Sequence, residues 1–121
     1  MSKTVLTVDD SRTMRDMLML ALSNAGFHVL QAEDGVHGLE VLRDAMPDVI
    51  ITDINMPRMD GFGFIENVRG GGSHRAIPIL VLTTESDAAK KDRARRAGAT
   101  GWIVKPFDPQ KLIEAIRRVA A

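Results

Sequence analysis

The sequence predicts an α/β fold built on a parallel sheet, and two observations carry that prediction. Short apolar runs alternate with longer stretches of helical periodicity, the signature of repeated strand–helix units. Four of the runs also end in a chemically active polar residue. Thr4-Val5-Leu6-Thr7-Val8 leads into Asp9-Asp10, and Val49-Ile50-Ile51-Thr52 leads into Asp53. Ile79-Leu80-Val81-Leu82 leads into Thr83-Thr84, and Trp102-Ile103-Val104 leads into Lys105-Pro106. In parallel strands all four ends share one edge, where open α/β sheets bind their ligands.

After the first run, Met14, Met17, Leu18, Ala21, Leu22 and Ala25 form one apolar stripe at three- and four-residue spacing, predicting a helix. Asp10 or Ser11 can cap its start, and Gly26 stands where it should stop. His28 to Ala32 reads as a weaker second strand. Asp34 then caps a helix bearing Val36, Leu39, Val41 and Leu42, which ends before Pro47. The third strand leads through Met56-Pro57-Arg58-Met59-Asp60-Gly61 to a helix with Phe62, Phe64, Ile65 and Val68. Gly70-Gly71-Gly72 breaks that helix, and Pro78 introduces the fourth strand. Ser86 to Ala97 reads as a fourth helix closed by Gly98. Its apolar positions are alanines (Ala88, Ala89, Ala94, Ala97), so it is expected to pack most loosely. Asp108 caps the last helix, with Pro109 at its first position and Leu112, Ile113, Ile116 and Val119 as its buried stripe.

At 121 residues the chain reads as one domain, 1–121, large enough to bury a core. Lys+Arg and Asp+Glu both number 16, so overall charge gives no reason to expect a nucleic-acid partner. Cysteine is absent, which excludes disulfides, thiolate metal sites and cysteine nucleophiles. The first strand begins by Thr4, leaving no room for a leader, and no apolar run approaches about 18 residues. The expectation is a cytoplasmic protein without membrane insertion.

Asp9, Asp10 and Asp53 are the focus of the chemistry. Crowded carboxylates raise one another's pKa values, and a divalent cation relieves the repulsion. Few ligands, all oxygen, suit Mg²⁺, which keeps waters and often a phosphate oxygen in its shell. Asp53 is the expected nucleophile, since an aspartate can accept a phosphoryl group as an aspartyl phosphate. Lys105 would neutralise charge in that transfer.

Val8-Asp9-Asp10, Asp53-x-x-Met56-Pro57-x-Met59-Asp60-Gly61, Thr83 and Lys105-Pro106-Phe107, in this order, resemble the receiver domain of two-component response regulators. The resemblance spans essentially the whole chain. It implies a doubly wound, flavodoxin-like sheet of five parallel strands in the order 2-1-3-4-5, with helices on both faces. It implies that a histidine kinase phosphorylates Asp53, and that the protein catalyses only its own phosphorylation and dephosphorylation. Asp10 and Asp53 would hold Mg²⁺, with Asp9 acting mostly through water and Asn55 through its backbone carbonyl. Lys105 would pair with the phosphoryl oxygens, across a Lys105-Pro106 peptide that is typically cis in the family. Thr83 would swing toward the phosphoryl group, and the aromatic at position 102 would turn inward behind it. Trp102 stands where tyrosine or phenylalanine is usual. Thr84 replaces a residue that is often smaller, and its side chain is expected to shield the phosphoryl group and slow its loss. Glu85 and Asn55 occupy positions that tune that lifetime.

The family's output face is formed by the fourth helix, fifth strand and fifth helix. Here that region carries Lys90, Lys91, Arg93, Arg95, Arg96, Lys111, Arg117 and Arg118, most of which read individually as solvated helix faces. As a cluster they could receive an acidic partner segment. Asp9-Asp10-Ser11-Arg12-Thr13-Met14-Arg15 and Lys105-Pro106-Phe107 look most like the chemotaxis group, which implies a chemotaxis kinase, docking to the flagellar motor switch and a monomeric protein. Two rivals remain open: a phosphate sink or relay intermediate, and a small phosphohydrolase. Asp53-Ile54-Asn55 lacks the second carboxylate such a hydrolase uses as general acid. The histidines His28, His37 and His74 read as surface or strand-end residues.

Overall fold

Strands and helices alternate strictly along the chain in the computed structural model, which describes residues 2–120. The outermost residues of the expected 1–121 domain lie outside the described residues. The order is β1 (Thr4–Val8), α1 (Arg12–Asn24), β2 (His28–Ala32), α2 (Gly35–Arg43), β3 (Val49–Thr52) and α3 (Gly61–Gly70). Then come a 3₁₀ turn (Gly72–His74), β4 (Ile79–Thr83), α4 (Ala88–Ala97), β5 (Gly101–Val104) and α5 (Pro109–Val119). All pairings are parallel, in the order β2-β1-β3-β4-β5. The winding reverses between β2 and β3, which flank β1, so the ligand crevice of such a sheet falls at the carboxyl ends of β1 and β3.

Alternation along each strand sorts the core into two layers. Leu6, Val8, Ile50, Ile79 and Val81 face α2, α3 and α4, which add Leu42, Phe62, Phe64, Ile65, Val68 and Ala94. Val5, Val49, Ile51, Leu80 and Leu82 face α1 and α5, which add Leu18, Leu22, Leu112 and Ile116. Strands buried on both faces explain the continuous apolar runs of β1, β3 and β4.

Each α-helix opens on a side-chain cap. Ser11 accepts from the Met14 amide, Asp34 from His37, Asp60 from Gly63, Asp87 from Ala89 and Asp108 from Gln110. Of the two caps open for the first helix, Ser11 fills the role. The fourth helix starts at Ala88 and not at Ser86, because Asp87 takes the cap and leaves Ser86 in the loop. Gly98 closes α4 at φ 117°, a left-handed conformation that glycine tolerates. Met17, expected on the core stripe of α1, is 49% exposed. Leu18 and Leu22 fill the narrow contact with the sheet, and Met17 lies beside it. Only Ala94 of α4 is buried, whereas α5 buries Leu112, Ile113 and Ile116. At about 0.8 kcal/mol per buried CH₂ group, α4 is held far more weakly than α5.

The loop after β3 is pinned by Gly61, whose amide donates to the Ile54 carbonyl at 2.8 Å. A Cβ on Gly61 would run into the Asp53 carbonyl and lie 2.7 Å from the Ile54 Cα. Backbone atoms cannot yield as a flexible side chain does. Gly61→Ala is therefore expected to cost roughly 1–3 kcal/mol, read as a lower urea midpoint with an unchanged m-value.

Candidate functional site

Register places the acids. Val8 pairs with Thr52, so Asp9 and Asp53, the next residues on β1 and β3, emerge side by side. The Asp53 amide donates to the Val8 carbonyl at 2.9 Å and the Asp9 amide to the Ala32 carbonyl at 3.1 Å, locking both backbones. Asp9 is 2% and Asp53 8% exposed, whereas Asp10 faces solvent. One carboxylate oxygen from each of Asp9, Asp10 and Asp53 lies within 4.8 Å of the others.

Lys105 reaches this cluster from β5, across β4. Its Nζ donates to Asp53 Oδ2 at 2.7 Å and to Asp9 Oδ2 at 2.9 Å. The remaining oxygens accept backbone amides: Ser11 N–H to Asp9 Oδ1 at 2.9 Å, and Ile54 N–H to Asp53 Oδ1 at 2.6 Å. The Lys105-Pro106 peptide is cis. Burial pushes the Asp9 carboxyl above its ordinary range, against the Ser11 amide and Lys105, which pull it down. Burial also opposes the Lys105 ammonium, but its hydrogen bonds to Asp53 and Asp9 prevail and raise its pKa. Three carboxylates around one ammonium leave two negative charges in excess when all are ionised. The donor set is all oxygen and partly preformed, which fits a hard divalent cation such as Mg²⁺.

Of the other expected site residues, Thr83, Asn55 and Trp102 meet at Glu85. The Glu85 amide donates to Thr83 Oγ1 at 3.3 Å, and the Trp102 indole N–H donates to the Glu85 carbonyl at 3.2 Å. Glu85 Oε1 accepts the Asn55 side-chain amide and the Lys90 ammonium, each at 3.1 Å. Those two partners hold the Glu85 carboxyl below the usual range, while the Asp53 charge works the other way. Thr83 is fully buried, Trp102 is half-buried against the α2–α3–α4 core layer, and Thr84 is exposed. Asp9, Asp10, Asp53 and Lys105 thus meet directly. Thr83, Asn55 and Trp102 are joined to one another through Glu85.

Two contacts have no periodic signal in the sequence. The Arg15 guanidinium, on α1, donates to the Asp9 carbonyl at 2.6 Å. Arg58 grips Asp34 with Nε at 2.7 Å and Nη2 at 3.1 Å, tying the loop after Asp53 to the start of α2. Arg58 itself sits at φ 63°. Both links join residues far apart in sequence or facing a backbone group, so no spacing rule marks them. Of the histidines, His37 accepts the Glu33 amide and His74 contacts the Ala45 carbonyl.

A 2-1-3-4-5 parallel sheet with acids and a lysine at its carboxyl edge defines a flavodoxin-like domain of the receiver class. Residues 5–117 match the family model of the response regulator receiver domain, and the chain belongs to that family. It is 45% identical over 118 residues to chemotaxis protein CheY1 of Helicobacter pylori, covering 95% of this chain and 94% of that one. It is 37% identical over 116 residues to a probable chemotaxis protein CheY of Rhizobium etli, covering 95% and 90%. The solved structure of chemotaxis protein CheY4 of Vibrio cholerae superimposes with a TM-score of 0.94 at 44% identity, covering 98% and 99%. The chain is thus a two-component receiver with chemotaxis proteins among its relatives, in a family of signalling proteins.

The Arg58 bonds, with help from the His37 amide, hold the Asp34 carboxyl below its ordinary value against the opposing effect of burial. The stabilisation is complete above the unfolded value of about 3.9 and is lost as pH falls through the depressed folded value. Arg58→Met should lower the thermal midpoint at pH 7. The variant should also lose less stability than the parent as pH falls below the unfolded value of about 3.9. Parallel pH–stability curves for the two proteins would contradict this.

Proposed function

We propose that residues 1–121 act as one phosphorylation-activated switch, with Asp53 as the acceptor and a histidine kinase as the donor. The observation that carries the reading is the Lys105 ammonium shared between Asp53 and Asp9 at hydrogen-bond distance. It marks Asp53 as a carboxylate already set beside a positive group suited to phosphoryl oxygens. In the transfer, an Asp53 carboxylate oxygen bonds to phosphorus as the phosphorus–nitrogen bond of the donor phosphohistidine breaks. The electron pair stays on the imidazole, which takes a proton from solvent. Asp10, Asp53 and the Asn55 backbone carbonyl would hold Mg²⁺, with Asp9 contributing mostly through water. Bound there, Mg²⁺ supplies charge neutralisation for the transferring group.

Lys105 follows the phosphoryl oxygens once the acceptor carboxylate is esterified. The new dianion, roughly −1.5 to −2 charges, draws the Thr83 hydroxyl from the Glu85 amide, and Trp102 turns toward the space behind it. The output face comprises α4, β5 and α5. Many of its cations are engaged locally: Arg95 and Arg96 pair with Asp92, Arg93 stacks 4.0 Å over Phe62, and Arg117 lies 6.0 Å from the Phe27 ring. Lys91 and Arg95 line a groove of about 360 Å³ with Trp102, and this groove is where an acidic docking segment would read the switch. The chemotaxis relatives favour a chemotaxis kinase as donor and a flagellar motor switch protein as target, with the receiver acting as a cytoplasmic monomer.

Trp102 is the only tryptophan and tyrosine is absent, so intrinsic emission reports one site. Mg²⁺ with a small phosphodonor should change that emission, and Asp53→Asn should abolish the phosphodonor response. Emission indifferent to both additions would defeat the proposal. Thr84 is exposed and follows the buried Thr83, and on this reading its side chain shields the phosphoryl group. Thr84→Ala should therefore speed the loss of label from Asp53, and an unchanged lifetime would remove Thr84 from that role.

A further inference from the structure

Glu85 touches both the acceptor loop and the output helix. A single oxygen, Oε1, takes the Asn55 amide from the loop after β3 and the Lys90 ammonium from the first turn of α4. Its backbone engages Thr83 on one side and Trp102 on the other. Glu85 is only part-exposed, with 27% of its side-chain surface accessible, while Lys90 remains 43% accessible. The carboxylate is thus drawn in toward the site, and the group that anchors it stays within reach of solvent and of partners. The helix carrying the anchor fully buries only Ala94, with Ala97 part-buried beside it and Arg93 stacked on Phe62, so the α4 backbone is lightly held where Lys90 lies.

We infer that Lys90 is a positioning residue for phosphoryl hydrolysis. It holds the Glu85 carboxylate over the mouth of the site, onto Asn55, and thereby lengthens the life of the aspartyl phosphate. The inference rests on Asp53 being the acceptor. In hydrolysis a water oxygen bonds to phosphorus, and the bond from phosphorus to the Asp53 oxygen breaks. The electron pair returns to the carboxylate, and the proton of the water leaves with inorganic phosphate or to solvent. That water must approach opposite the leaving oxygen, from the open side of the pocket. A carboxylate kept there obstructs the approach, adds negative charge beside a dianion, and occupies the Asn55 amide that could otherwise orient the water. Releasing Lys90 frees the carboxylate to turn outward. An acidic partner that captured Lys90 would act in the same way, so docking on α4 would be felt as a change in phosphoryl lifetime.

The test follows radiolabelled phosphate on the purified chain with Mg²⁺, after transfer from a phosphorylated histidine kinase and removal of the donor. An exposed ion pair of this kind supports an effect of about two- to fivefold. Lys90→Ala should shorten the lifetime by that factor, and Lys90→Arg should restore it. In a Glu85→Ala background, Lys90→Ala should change nothing further. Three results would overturn the inference: a lifetime unmoved or lengthened by Lys90→Ala, no rescue by arginine, or the same acceleration persisting without Glu85. Circular dichroism of each variant guards against loss of fold, and an exposed alanine in α4 favours the helix. A parent protein that takes no label on Asp53 would refute the acceptor assignment and this inference with it. A labelled parent whose lifetime ignores Lys90 would refute the inference alone.

Discussion

Confining Asp9, Asp10 and Asp53 to one edge of a rigid sheet is the constraint on which the rest of the structure depends. Like charges so close repel, and a buried carboxylate loses its hydration. The fold meets this with one ammonium and a set of backbone amides. Lys105 crosses from β5 to reach acids on β3 and β1, and the Ser11 and Ile54 amides occupy oxygens that Lys105 does not. The compensation is incomplete. A site with excess negative charge, all-oxygen donors and one ammonium among them is predisposed toward a hard metal ion and a phosphoryl group.

The arrangement holds its geometry because the strands beneath it do. β1, β3 and β4 are buried on both faces, and their register leaves Asp9 and Asp53 no freedom to slide apart. The loop beyond Asp53 is fastened three ways: by Gly61 lying against the Asp53 carbonyl, by the Gly61 amide on Ile54, and by the Arg58 grip on Asp34. A reaction that depends on positioning needs such stiffness.

Across the sheet the packing changes character. α4 buries one alanine, Trp102 is only half-buried, and the connection back to the acids runs through polar contacts of Glu85. Elements that must move are drawn from the weakly held part of a structure. The chemical end of this molecule is therefore rigid and the reporting end loose, with Glu85 spanning the two.

Much of this was legible in the residues themselves. Apolar runs buried on both faces announce parallel strands, caps such as Asp34 and Asp108 mark helix starts, and the polar residues ending the strands identify the acid cluster and its lysine. These are local signals, set by the chain's own periodicity and by short-range hydrogen bonding. What escaped was decided by distance in sequence. Met17 belongs to an apolar stripe yet lies outside the contact, because the width of that contact depends on how closely α1 and the sheet approach. The fourth helix begins at Ala88 rather than Ser86, because the Asp87 side chain accepts the Ala89 amide and takes the cap. The Arg58–Asp34 clamp joins residues 24 apart, and the Glu85 junction joins a loop, a strand and a helix from three regions of the chain. Periodicity can determine which residues are available at the sheet edge. Only tertiary packing decides which of them share a proton or a carboxylate oxygen, because such bonds form only when separate elements are brought within about 3 Å.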